Sequence, residues 1–140
     1  MRTTGERGQA TIETLLLALL LLVPLVWALG VLADLHRGAL ATTAAAREAG
    51  FEAARASEAG SAGRAIDEAV GRAFADHGLD PADAEVRWSG SRLERGAAVE
   101  VQIGYAVTVT QVPLLGRIAG PSIHVHATHI ARVDPFRSRP

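Results

Sequence analysis

The chain has 140 residues, no cysteine and a formal net charge of −1 at pH 7. This length suits one small domain with an anchor. The lack of cysteine excludes disulfides, cysteine-based zinc sites, thiol catalysis and a lipoprotein anchor. The near-neutral charge gives no bulk attraction to nucleic acid.

The first predicted element is a membrane-spanning helix over Thr14–Ala33. These 20 residues carry no charge and are mostly Leu, Val and Ala. At about 1.5 Å per residue, a helix of this length crosses a hydrocarbon core of about 30 Å. Pro24 lies inside the run, where a membrane helix tolerates it as a kink. The alternative is a buried helix of a soluble protein, but so long a helix would show a polar face.

The charges beside this run predict its orientation. Arg2 and Arg7 precede it, whereas Asp34, His36 and Arg37 follow it. Basic residues favour the cytoplasmic side, and acidic residues count little in this rule. We therefore expect a single pass through the cytoplasmic membrane, in contact with lipid, with the C-terminal part extracytoplasmic.

Glu13 stands at the start of the apolar run, where a carboxylate is costly unless it has a partner. Two interpretations follow. Glu13 marks the water interface and suits the N-terminal end of the helix dipole, or it pairs with a cation inside the membrane.

Residues Arg7–Thr14 read R-G-Q-A-T-I-E-T and lead directly into the apolar run. This segment resembles the N-terminus of type IV prepilins. The resemblance implies a leader that ends at Gly8, cleavage after Gly8 by a prepilin peptidase, and Gln9 as the first mature residue. Glu13 then falls at the fifth mature position, as the family pattern requires, and Thr14 stands where many members carry an aromatic residue.

The rest of the chain resembles the TadE-like minor pilins (pseudopilins) of the tight-adherence, or Flp, pilus. The matching features are the stretch ATTAAAREAGFEAARA, a later alternating strand and the P-L-L-G connection at Pro113–Gly116. The resemblance implies a role in pilus assembly, either inserted into the fibre or priming it, with the prepilin peptidase, other pilus subunits and the assembly machinery as partners. After cleavage, Gln9 carries an ammonium on the helix face of Glu13, so Glu13 is the predicted assembly residue.

The helix is predicted to continue beyond the span to Ala59, because this stretch is rich in Ala at helical spacing. It is either a spacer or a rod that packs neighbouring subunits. Gly60, Ser61 and Gly63 predict a break, and a second helix is expected from about Arg64 to His77. Gly78 is its expected left-handed cap.

The C-terminal part predicts β-strands. Val86 and Trp88 alternate with charged residues, the segment 99–109 alternates apolar and polar residues, and the segment 123–128 does the same. The expected fold class is α+β and pilin-like: a long helix, a short second helix and a small antiparallel sheet of about three strands whose odd-numbered face is buried. The chain divides into a leader (1–8), the span with its extension (9–59) and an extracytoplasmic domain (60–140).

No enzyme is expected, because no nucleophile elbow, phosphate-binding loop or dinucleotide motif occurs. His124 and His126 leave one strand face together and could pair on a metal, but a third ligand would be needed, so no metal, cofactor or small-molecule substrate is expected. Leu114, Leu115 and Ile118 form either a satellite core or a contact patch. The alternative function is a signal-sequence-bearing or anchored extracytoplasmic protein unrelated to pili, with a signal-peptidase site near Ala33.

Overall fold

The computed structural model describes residues 4–90, 93–109 and 121–136, with side chains from Gln9 onward. Two helices pack on one antiparallel three-stranded sheet, so the predicted layout of long helix, second helix and sheet is confirmed. The elements in chain order are helix α1 (Thr4–Arg55), helix α2 (Ala59–Asp76), a 3-10 turn (Pro81–Asp83), and strands β1 (Ala84–Ser89), β2 (Ala98–Thr108) and β3 (Ser122–Arg132).

The boundary between the helices differs from the prediction. Helix α1 ends at Arg55, and α2 already begins at Ala59 rather than near Arg64. The Ser61 hydroxyl accepts a hydrogen bond from the Glu58 N–H at 3.3 Å and donates one to the Glu58 carbonyl at 2.9 Å. These bonds satisfy backbone groups at the start of the helix. The stretch around Gly60 and Ser61, where a break in helical structure was predicted, is therefore the first turn of α2.

The end of α2 agrees with the prediction. Gly78 has φ +67°, which a residue without Cβ adopts at no steric cost. The Leu79 N–H donates to the Phe74 carbonyl at 3.0 Å, and the Gly78 N–H donates to the Ala75 carbonyl at 2.9 Å. This is the Schellman pattern of a helix C-terminus. It returns Leu79 to the core, where it packs partly buried.

The sheet has the order β1-β2-β3, and both pairings are antiparallel. Trp88 of β1 lies opposite Val101 of β2, which lies opposite His129 of β3. Side chains alternate between the faces of a strand, and Val99, Val101 and Ile103 are fully buried, with exposures of 1% or less. The face with the odd-numbered residues of β2 and β3 therefore packs on the helices, as predicted, and β1 contributes its even-numbered residues to this face.

The second half of α1 packs on its own sheet through small residues. A Cβ added to Gly38 would lie 2.9 Å from Val107 Cγ2, and one added to Gly50 would lie 2.6 Å from His129 Cδ2. Because Cβ atoms do not approach so closely, both positions require glycine unless a neighbour moves. The other buried positions of this helix face are Ala41, Thr42, Ala45, Ala46, Ala49 and Ala53.

This packing bears on both interpretations of the Ala-rich extension. Small side chains permit close approach, and here they serve contacts inside one molecule. The buried face of the extension is therefore neither a bare spacer nor free for neighbouring subunits. We call the unit formed by the segment 38–55 of α1, α2 and the sheet the head. The connection Pro113–Gly116 and its neighbours Leu114, Leu115 and Ile118 lie outside the described residues.

Candidate functional site

The predicted site residues lie at the start of α1. The helix begins at Thr4 and runs through Gly8, Gln9 and Glu13 without a break. Gln9 and Glu13 are exposed and stand four residues apart, so they share one helix face. Of Gly8 only the backbone is described, and Met1–Thr3 are outside the described residues, as is the Arg7 side chain.

Glu13 has apolar neighbours on its helix. Ile12 is 62% exposed, and Leu16 is 60% exposed. In the described part of the chain the ion pairs join Asp34 to Arg37, Glu52 to Arg55 and Glu85 to Arg87, and none of them includes Glu13. The carboxylate thus stands at the border of an apolar surface without a cation of its own molecule among the described residues.

The apolar surface beyond Glu13 is large. Helix α1 is the helix among the described residues that is long and apolar enough to cross a membrane, and none of its most apolar window is buried. Exposed apolar surface of this extent marks contact with a membrane or with another protein. The large apolar residues of α1 that are at least 55% exposed are Ile12, Leu15, Leu16, Leu17, Leu19, Leu20, Leu21, Leu22, Leu25, Val26, Leu29 and Leu32.

A cleft of about 290 Å³ lies between the C-terminal end of this apolar segment and the end of β2. Helix α1 contributes Trp27, Gly30, Val31 and Asp34, and β2 with the residue after it contributes the segment 107–109. Asp34 is its one titratable lining residue among those described, and its carboxylate lies 3.6 Å from Arg37 Nη1. Among the described residues, the lining therefore offers no acid–base pair. The position of the cleft shows which side of α1 faces the head.

The two candidate metal ligands lie on the outer face of the sheet. The His124 and His126 rings are stacked with centroids 6.3 Å apart and an interplanar angle of 10°. Both are exposed, and the described residues contain no group of three histidine, aspartate or glutamate side chains that could hold a metal. His129 faces the other way, as predicted, with its ring 5.2 Å from that of Phe51.

Tyr105 is the one residue with a shifted pKa among the described titratable groups. Burial raises the pKa of the Tyr105 phenol, and the negative charges of Asp83, Asp80 and Asp34 raise it further. The phenol therefore stays neutral at physiological pH and cannot act as a base. The Tyr105 ring lies 5.3 Å from the ring of Phe74 on α2 and packs against Gly38 on α1. Tyr105 thereby connects both helices to the sheet.

Sequence reasoning missed the side of α1 that faces the head. Val23, Trp27, Val31 and Leu35 are half-buried, whereas the residues around them are mostly exposed. Their spacing of four residues was visible in the sequence, but every residue in this run is apolar except Asp34, so no contrast in polarity distinguished the covered side.

Comparison with models of protein families, with curated proteins and with solved structures finds no significant match to this chain.

Proposed function

We propose that the chain is a minor pilin (pseudopilin) that takes part in assembly of a tight-adherence (Flp) type IV pilus. In this proposal, Thr14–Ala33 anchors it in the cytoplasmic membrane and the head is extracytoplasmic. A prepilin peptidase cuts after Gly8, and Glu13 then pairs with an N-terminal ammonium. One observation carries the proposal: a lone carboxylate stands at the start of a charge-free helical run, five residues after a glycine that follows a basic residue.

The shape of the molecule supports this proposal. One continuous helix of 52 residues carries an exposed apolar half and a half that is built into the head. A helix that is both anchor and core element keeps the head at a fixed place relative to the span. A subunit of a fibre needs this rigidity, because contacts at the two ends must repeat together from copy to copy.

The backbone at Gly8 also suits cleavage. Gly8 lies near the N-terminal end of the part of α1 that the structure describes, which is Thr4–Arg55. Glycine is the poorest helix former after proline. The turn around Gly8 and Gln9 therefore unwinds at low cost, and an unwound segment is what a protease active site accepts.

The alternative, a secreted protein with an ordinary signal sequence, places cleavage near Ala33. Helix α1 is continuous there, and Asp34 lines the cleft together with the end of β2. Cleavage at this point would cut through a helix at its contact with the head. The first residue of the mature chain tests the choice: Gln9 supports the pilin proposal, and a start near Asp34 supports secretion.

Gly8→Val is expected to leave an unprocessed precursor, because a β-branched side chain replaces the small residue that must pass the peptidase active site. The precursor is eight residues longer than the mature chain, and mass spectrometry of the membrane-extracted protein measures the difference. Gly5→Val is the matched control, since it makes the same change three residues before the cut and is expected to be processed normally. A mature mass for Gly8→Val equal to that of the wild type would contradict cleavage at this bond.

The head is expected on the outer side of the membrane, because basic residues favour the cytoplasmic side of a span. The chain has no cysteine, so a single introduced thiol reports its own position. Ser57→Cys lies at an exposed position between α1 and α2. A membrane-impermeant maleimide is expected to label this variant in intact spheroplasts and to leave the cysteine-free chain unlabelled. Labelling only after lysis would reverse the topology.

A further inference from the structure

Strand β2 runs along α1 toward the apolar segment. A Cβ added to Gly50 would lie 2.6 Å from His129 Cδ2, and His129 lies opposite Val101 of β2. Further along β2, Val107 Cγ2 lies 2.9 Å from a Cβ added to Gly38. The step from Val101 to Val107 thus matches the step from Gly50 back to Gly38, since both cover about 18–20 Å. The C-terminal end of β2 therefore points toward the apolar segment.

Strands β2 and β3 meet at this end of the head. Thr108 pairs with Ser122, and the Val109 N–H donates to the Pro121 carbonyl at 3.3 Å. Thr108 and Val109 line the same cleft as Asp34, which is the first residue after the charge-free run. We call this end of the sheet the tip, and it consists of Thr108, Val109, Pro121, Ser122 and Ile123.

The depth of the tip follows from the membrane anchor of the proposed function, on which this inference rests. The charge-free run ends at Ala33, and a headgroup layer of about 5–7 Å borders the hydrocarbon core on each side. The residues from Asp34 to Gly38 extend about 7.5 Å beyond this border. Val107 contacts Gly38 at the outer limit of the layer, and β2 continues from there toward the core. The tip therefore lies at the depth of the headgroups.

The composition of the sheet differs between its two ends. The tip carries no charged residue, and neither does the segment 101–116 that contains its first half. The hydrogen bond at Val109 leaves that N–H paired, as a water-poor layer requires. Ile123 is 40% exposed although it is apolar. The opposite end of the sheet, which points away from the membrane, is flanked by Glu94, Arg95, Arg132 and Asp134.

We propose that the tip is a second membrane contact of this chain and binds the outer headgroup layer beside α1. A single spanning helix is free to tilt in the bilayer unless other contacts fix it. With the tip in the headgroup layer, a tilt of α1 away from the sheet side would pull the tip out of the membrane. The contact therefore orients the head relative to the membrane surface without any other subunit.

Fluorophores at single positions test this contact, because the chain has no cysteine of its own. Ser122→Cys carries a nitrobenzoxadiazole label at the tip, and Ser89→Cys carries it at the opposite end of the sheet; both serines are exposed. The labelled full-length chain is reconstituted in phosphatidylcholine vesicles that contain lipid with a nitroxide on its headgroup. We expect the label at position 122 to lose most of its fluorescence and the label at position 89 to keep it. Ile123→Cys and Ile130→Cys repeat the comparison with two exposed isoleucines near the ends of β3.

A label in the span separates this inference from the proposed function. Leu21→Cys lies inside the charge-free run, and a nitroxide on the lipid acyl chain is expected to quench its label. Quenching at position 21 without quenching at position 122 would overturn the tip contact alone. An emission shift to shorter wavelength at position 122 without quenching would also overturn it, because protein rather than lipid would then cover the tip. Equal quenching at positions 122 and 89 would overturn it too, since the whole sheet would then lie along the membrane. An unquenched label at position 21 would contradict the membrane anchor itself, and this inference with it.

Discussion

Glu13→Ala is expected to leave the chain inserted in the membrane and cut after Gly8, yet to lower its incorporation into pili by about a hundredfold. Removal of one partner of an ion pair in a water-poor environment leaves the other charge unpaired, and the unpaired group here is the N-terminal ammonium of a neighbouring subunit. Insertion is not impaired, because the substitution removes a charge from the border of the apolar run.

The measurement is crosslinking of the variant to other pilus subunits, together with a count of surface fibres. Glu48→Ala is the matched control, because Glu48 is an exposed carboxylate of the same helix outside the apolar segment. Normal crosslinking and a normal fibre count for Glu13→Ala would make Glu13 an interface residue and remove the main support for a pilin. Loss of insertion itself would contradict the expected benefit of removing the charge.

The parts of the fold that were predicted correctly rest on local patterns. Twenty residues without a charge specify an apolar helix whatever they later contact, and period-2 alternation specifies both β2 and its buried face. The cap at Gly78 was predictable for a similar reason, because the left-handed backbone there is a property of glycine itself.

The errors and omissions arise where a residue's role depends on a partner. Gly60 and Gly63 predicted a break, but the hydrogen bonds of Ser61 stabilise the start of α2 ahead of them. Glycine is needed at Gly38 and Gly50 because side chains of the strands approach α1 closely at these two positions. The distance between the helix and the strands cannot be read from the sequence. The pairing of Glu13 is predicted only through the resemblance to prepilins, since its proposed partner belongs to another molecule.

Phe74→Ala is expected to unfold much of the head while leaving the apolar segment in the membrane. Phe74 is fully buried on α2, and most of the buried helix residues around it are alanines. Its ring also contacts that of Tyr105, which packs against Gly38 of α1. Replacement of a buried phenylalanine by alanine costs about 3–5 kcal/mol. A small domain has a free energy of unfolding of about 5–15 kcal/mol in total, so this one change removes a large share.

Urea unfolding of the full chain in detergent micelles measures the effect through the fluorescence of Trp88, which is partly buried against the core. The comparison is made in a Trp27→Phe background, because Trp27 is the second tryptophan of the chain. The midpoint should fall in proportion to the lost free energy. Phe136→Ala is the matched control, because Phe136 is 92% exposed and its removal leaves no cavity. Glu13→Ala should also keep the wild-type midpoint, since Glu13 lies outside the head. Glu13→Ala and Phe74→Ala would then fail in assembly for different physical reasons. An unchanged midpoint for Phe74→Ala would mean that α2 does not hold the sheet against α1, and that the long helix supports the strands alone.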